Sequence, residues 1–132
     1  MLNQPKIIEF PEIGNSILGY IAVAENKDLP FEVKRIYWTY FTPENVERGG
    51  HAHRQLEQIL VAVAGTISIK LELPGGEKPE YILDKPDHGL YLPKMSWRTI
   101  RYSHNAVQLC LASTDFDEND YIRDHETYLK EC

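Results

Sequence analysis

No apolar run in the 132-residue chain approaches the ~20 residues that a membrane-spanning helix requires. The opening stretch, Met1 to Phe10, lacks the basic-then-apolar pattern of a secretion signal. Cysteine is scarce: Cys110 sits inside the apolar run Val107 to Ala112, and Cys132 is the last residue. That placement implies a buried thiol and a tail thiol rather than a disulfide framework, and it fits a reducing cytoplasm. Basic charge is also short. The 14 Lys and Arg face 20 Asp and Glu, and the resulting net charge of −6 weighs against general nucleic-acid binding while leaving room for one basic pocket. Repeats at the ~20–50-residue period of solenoids are missing as well. A hydrophobic fraction of 42% with 26% charged residues is that of a soluble globule, and the length suits one compact domain over residues 1–132.

Within that frame the chain is rich in short extended segments separated by turn formers. Lys6 to Phe10 stops at Pro11, and Gly19 to Ala24 is strand-like. Val33 to Phe41 is dense in aromatic and β-branched residues. One face of it carries Arg35, Tyr37 and Thr39, the other Ile36, Trp38 and Tyr40, so it reads as a strand covered on both sides. The outward row of Trp38 and Tyr40 suggests a homodimer, because a large exposed apolar patch is unusual on a monomer. Further strands are expected over Gln58 to Ala64, Thr66 to Leu73, Tyr81 to Leu83, Gly89 to Pro93, Trp97 to Tyr102 and Ala106 to Ala112. Thr42 to Gly50 reads as a loop, Asp115 to Asp120 as a solvated acidic loop, and Tyr121 to Lys130 as one or two helical turns. The whole predicts an all-β fold, a barrel or double-sheet jelly roll of short antiparallel strands with a short helical C-terminal tail.

The stretch Arg48-Gly-Gly-His51-Ala-His53 concentrates the chemistry. On a helix the two histidines would diverge by roughly 200°. On a strand they share a face, which puts two imidazoles at one cavity. The glycines permit a tight turn or a close backbone approach, and Arg48 supplies a fork suited to phosphate or carboxylate.

Two chemistries compete for these residues. His51-x-His53-x-x-x-Glu57 resembles the first ligand motif of metal-binding cupins. The segment after Pro93, where a further histidine is expected, instead offers Trp97 and Arg98, which do not ligate metal. The other chemistry is acid–base. An imidazole takes up and returns protons near neutral pH, and a tyrosine hydroxyl opposite can move protons between neighbouring carbon and oxygen atoms.

The set Arg35-Ile-Tyr37, Arg48-Gly-Gly-His51-Ala-His53-Arg54, Gly89-Leu-Tyr-Leu-Pro93, Trp97 and Asp117-x-x-Asp120-Tyr-Ile-Arg-Asp124 resembles the dTDP-sugar 3,4-ketoisomerases, the WxcM-like branch of the cupin superfamily. Arg54 departs from the lysine common there and keeps its charge. The resemblance implies a small, usually dimeric β-barrel that works without metal or other cofactor. It implies a dTDP-4-keto-6-deoxyhexose substrate whose keto group moves from C4 to C3, on the way to 3-amino-3,6-dideoxy sugars of surface polysaccharides. Carried onto this chain, His51 is the base at C3 and C4, His53 assists or orients the sugar, and Tyr37 handles the oxygen proton. Arg35, Arg48 and Arg98 bind the diphosphate or steady the oxyanion, and Tyr40, Trp97 and Tyr102 are placed to stack on thymine or sugar. A metal-dependent cupin enzyme, a non-catalytic sugar-nucleotide-binding cupin and a sugar epimerase are the alternatives.

Overall fold

The computed structural model describes residues 3–132. Its strands are β1 (Lys6–Glu9), β2 (Glu12–Asn15), β3 (Gly19–Ala22), β4 (Arg35–Tyr40), β5 (Glu47–His53), β6 (Gln58–Ala64), β7 (Ile67–Glu72), β8 (Glu80–Leu83), β9 (His88–Leu92), β10 (Trp97–Tyr102), β11 (Val107–Ala112) and β12 (Tyr121–Ile122), followed by helix α1 (His125–Glu131). Two five-stranded antiparallel sheets, β1-β9-β6-β11-β4 and β12-β5-β10-β7-β8, make up the body, and β2 and β3 form a separate hairpin. The sheets are open at their edges, so the expected jelly roll is a two-layer sandwich rather than a closed barrel.

Burial follows the sequence pattern strand by strand. In β7 the alternating residues Ile67, Ile69 and Leu71 are buried between the sheets, while Ser68 and Lys70 face solvent. In β6 the apolar run is continuous because both faces are covered. Leu60 and Ala62 join the core between the sheets, whereas Ile59 and Val61 pack on Phe10, Tyr91 and Leu111 under Leu29, Phe31 and Val33. Each buried Leu, Ile or Val side chain among them contributes roughly 1.5–3 kcal/mol of transfer free energy. Helix α1 packs Tyr128 against Ala52, Ile122 and Trp97 on the outside of the second sheet. Asp124 caps it by accepting from the Thr127 amide at 3.1 Å, and the Tyr128 hydroxyl donates to the carbonyls of Met95 and Glu72. Among the described residues, no helix is long and apolar enough to cross a membrane.

Three segments differ from the sequence expectation. The outward face of β4 is not covered within the chain: Ile36, Trp38 and Tyr40 are 54%, 60% and 56% exposed. Tyr121–Ile122 is a strand, not the start of the helix, held by antiparallel pairing to His53 and Ala52. A two-residue strand has no periodicity of its own, and its partner supplies the order. The third difference positions the site. β5 begins at Glu47, so the glycines lie inside the strand rather than before it.

Pairing with β10 runs Glu47↔Arg101, Arg48↔Ile100 and Gly49↔Thr99, then jumps to His51↔Arg98, which leaves Gly50 as an extra residue in a β-bulge. Partners in an antiparallel pair share a face. Arg48 and Ile100 therefore point inward together, and after the bulge His51 and Arg98 do the same. Without the extra residue the parity of β5 would continue, and both histidines would face away from the core. Gly49 and Gly50 have φ of 89° and 68°, where L side chains are strained. A Cβ on Gly49 would also stand 2.7 Å from the Arg98 carbonyl oxygen, whereas one on Gly50 meets nothing within 4 Å.

The two glycines are thus unequal. Gly50→Ala is expected to cost only the left-handed backbone strain, about 1–2 kcal/mol, and Gly49→Ala clearly more, because it adds a backbone clash. Urea unfolding of both variants checks this; equal losses would reject the bulge geometry described here.

Candidate active site

A cavity of about 290 Å³ opens between the two sheets, lined by residues of β4, β5, β6, β10 and β11 and roofed by Phe116 and Tyr121 of the tail. Its size is near the lower end of small-molecule sites. Its lining holds three guanidinium groups, Arg35, Arg48 and Arg98, and no carboxylate among the described residues. That composition favours an anionic ligand.

Arg98 is the deepest of the three. It is 3% exposed, and its donors meet only neutral acceptors: the Gln58 side-chain oxygen, and the Ser96 carbonyl at 3.1 Å. Its Nε has no partner. Burial lowers its pKa, but guanidinium starts so high that it stays charged. Arg35 lies over the Tyr37 ring at 5.1 Å and near Phe116 at 5.9 Å. Arg48 is exposed at the mouth.

His51 and His53 share a face, as expected, with ring centroids 4.8 Å apart and planes at 83°. They do not share the cavity. His51 lines it, whereas His53 is 1% exposed and sits behind, with the Tyr121 ring 4.3 Å away. The shared-cavity expectation is corrected on this point, because β12 lays Tyr121 directly across His53. Burial first, and then the Arg98 charge, pull His51 down to about 4 and His53 to about 2. Both rings are therefore neutral at physiological pH, and His51 is a free base at the cavity wall. Neither ring nitrogen of His53 has a hydrogen-bond partner, and the Asp120 carboxylate is 3.8 Å from its Nδ1.

Tyr37 faces the cavity from β4, and its hydroxyl accepts from Gln58 Nε2 at 2.6 Å. Burial, with the Cys110 thiol second, pushes its pKa far up, so it keeps its proton. Tyr102 also lines the cavity; its hydroxyl donates to Gln108 Oε1 at 3.0 Å, and burial pushes its pKa up to about 12.

Two residues expected at the site are elsewhere. Trp97 precedes the inward Arg98 and so points to the opposite face of β10, with its ring 5.0 Å from His125 and 5.5 Å from Tyr128. Tyr40 lies on the outward face of β4 beside Trp38. Strand alternation excludes both from the cavity. Glu57, the third member of the metal-like motif, accepts from the Tyr91 hydroxyl on the far side of the first sheet. No three His, Cys, Asp or Glu side chains of the described residues are grouped as metal ligands would be.

Sequence reasoning missed Gln58, Gln108, Phe116 and Tyr121. For the glutamines the signal was available: each is a lone amide in an otherwise apolar strand, Gln58-Ile-Leu-Val and Val107-Gln-Leu-Cys, and a buried amide needs partners. Tyr121 reaches the site through the tail's return to β5. The Asp120 carboxylate accepts from the Gln55 and Leu56 amides at 2.8 and 3.0 Å, and Arg54 pairs with Glu131 through both ends of its fork at 3.0 Å.

The fold is a cupin-type sandwich whose cavity sets an imidazole and a tyrosine hydroxyl among three guanidinium groups. The family model described as WxcM-like, C-terminal (FdtA) matches residues 3–132. The TDP-4-oxo-6-deoxy-alpha-D-glucose-3,4-oxoisomerase of Aneurinibacillus thermoaerophilus is 38% identical over 126 residues, covering 95% of this chain and 90% of that protein. Among solved structures, a 3,4-ketoisomerase from Helicobacter canadensis superposes with a TM-score of 0.90 at 39% identity, covering 96% of both chains. A variant of the 3,4-ketoisomerase QdtA from Thermoanaerobacterium thermosaccharolyticum, in complex with TDP-4-keto-6-deoxyglucose, superposes with a TM-score of 0.91 at 34% identity, covering 99% of this chain and 95% of that one. This chain belongs to the WxcM-like, FdtA family of sugar 3,4-ketoisomerases.

The depressed histidines have a consequence for stability. A group that binds its proton less readily when folded than when unfolded stabilises the fold above its unfolded value, near ~6.5 for histidine. That contribution is lost as pH falls toward about 4 for His51 and about 2 for His53. The urea midpoint should therefore drop between pH 7 and pH 5, and His53→Asn should flatten this dependence. An unchanged slope in the variant would contradict the assigned burial of His53.

Proposed function

We propose that this protein is a sugar-nucleotide 3,4-ketoisomerase that moves the keto group of a dTDP-4-keto-6-deoxyhexose from C4 to C3. The observation that carries this reading is His51. It is an uncharged imidazole at the wall of a carboxylate-free, three-arginine cavity with Tyr37 facing the same space, in a chain 38% identical to a 3,4-oxoisomerase. The C4 ketone acidifies the C3 proton. His51 removes that proton, leaving an enediolate, and, after exchanging it with solvent, protonates C4. Tyr37 passes the oxygen proton from O3 to O4, so the sugar ends with a C3 ketone and a C4 hydroxyl and no net change in composition. Arg98, charged and surrounded by neutral acceptors, steadies the negative charge that develops on the oxygens. Arg35 and Arg48, nearer the mouth, hold the diphosphate, and Tyr102 packs against the bound sugar. His53 braces the His51 ring from behind rather than touching substrate.

The chain works in this reading as one domain over residues 1–132, in the cytoplasm, without a metal or other cofactor, and as a homodimer. The dimer is supported by the uncovered Ile36, Trp38 and Tyr40 on β4 and by the β2–β3 hairpin, where Ile17 and Leu18 are 90% and 86% exposed.

Incubation with dTDP-4-keto-6-deoxyglucose in D₂O, followed by NMR, should show the 3-keto isomer with deuterium entering at C4. His51→Asn should lower the rate ~10²–10⁴-fold while leaving the fold intact by circular dichroism. A fully active His51→Asn would reject the assignment, and deuterium exchange with the ketone remaining at C4 would favour an epimerase. On sizing, the wild type should run as a dimer and Trp38→Glu should shift toward monomer; a monomeric wild type would reject the dimer.

A further inference from the structure

We propose that Gln58 is a positioning residue that fixes the direction of the Tyr37 hydroxyl proton and turns it into the cavity; the inference rests on the ketoisomerase reading above. Gln58 is 2% exposed and links the two sheets, meeting Arg98 of β10 on one side and Tyr37 of β4 and Cys110 of β11 on the other. Arg98 can only donate hydrogen bonds. The atom of the Gln58 amide that faces it must therefore be the oxygen. The amide nitrogen is left to face Tyr37 and Cys110, and it donates to the Tyr37 oxygen at 2.6 Å and to Cys110 Sγ at 3.3 Å.

The hydroxyl of Tyr37 thus receives a hydrogen bond, and its own hydrogen has to leave in another direction. The competing internal acceptor is the Cys110 sulfur, which accepts weakly and already takes the other Gln58 N–H. The remaining direction is the cavity that Tyr37 lines. A fixed cation on the second sheet in this way sets, through one amide, which proton the first sheet offers to the ligand. As the O3 proton arrives on Tyr37 and the Tyr37 proton leaves to O4, the Gln58 N–H also stabilises charge passing through the phenolic oxygen. Gln58 borders the cavity, but both ends of its amide are taken up by Arg98, Tyr37 and Cys110, so its effect is exerted through Tyr37.

The test is a kinetic cycle on the full chain with dTDP-4-keto-6-deoxyglucose, together with TDP binding by calorimetry. Gln58→Glu keeps the shape but presents oxygen to both neighbours. Its carboxylate pairs with Arg98 and accepts the Tyr37 proton, drawing that proton away from the cavity. The expected result is a kcat lower by ~10²-fold or more, with KM and the Kd for TDP within about threefold of wild type. In the Tyr37→Phe background the same change should add nothing further to kcat. Retained kcat, a loss that adds fully to that of Tyr37→Phe, or a parallel loss of TDP affinity would each overturn the proposal. If Gln58→Glu has no cooperative thermal transition, Gln58→Met, which removes both hydrogen bonds without a charge, carries the same cycle. Loss of folding in both would make Gln58 purely structural and overturn the proposal too. A wild type without turnover would reject the ketoisomerase reading and this inference with it, whereas an active wild type with an equally active Gln58→Glu would reject the positioning role alone.

Discussion

A guanidinium buried against neutral acceptors organises this molecule. Taking a charge out of water costs several kcal/mol even after relaxation, and Arg98 meets that cost with an amide oxygen and a backbone carbonyl, not with a carboxylate. Its field helps to keep His51 and His53 unprotonated. Its donors decide which way the Gln58 amide lies. Its backbone and Cγ crowd the space over Gly49, where a Cβ would meet the Arg98 carbonyl oxygen at 2.7 Å. With Arg35 and Arg48 it leaves the cavity with surplus positive charge.

The two imidazoles differ in depth. They are two residues apart on one strand and face the same way, yet one borders open space and the other is sealed under Tyr121. The sealing comes from the tail. Asp120 ties the segment to the Gln55 and Leu56 amides, Arg54 grips Glu131, and β12 adds itself to the edge of β5. These contacts gather residues far apart in the chain around one ring. They also make the tail part of the site rather than an appendage, since Phe116 and Tyr121 roof the cavity.

Much of this was legible beforehand, and the reasons differ by element. β7 and β10 alternate cleanly because one face of each is core, and β6 reads as an unbroken apolar run because both its faces are covered. The expectation that His51 and His53 share a face needed only strand periodicity. Trp97 was misplaced because an aromatic residue next to a site arginine looks equally useful whichever way it points, and only the pairing register fixes parity. Tyr40 was misplaced although strand alternation already set it on the face opposite Arg35 and Tyr37. β5 was expected to begin after its glycines because Gly-Gly signals a turn. Here the same conformational freedom serves a bulge, which a single strand cannot reveal without its partner.

The sequence alone therefore determined the all-β class, most of the strands, the family resemblance, and the chemical kit of imidazoles, tyrosine and arginines, since these follow from local period, residue type and motif. Tertiary structure alone decided which of the kit meets the cavity. Inward and outward are set by one extra residue, Gly50, at a strand pairing between segments about fifty residues apart, and exposure of His53 is set by a tail that returns across it. Both are long-range contacts, and no stretch of chain encodes them on its own.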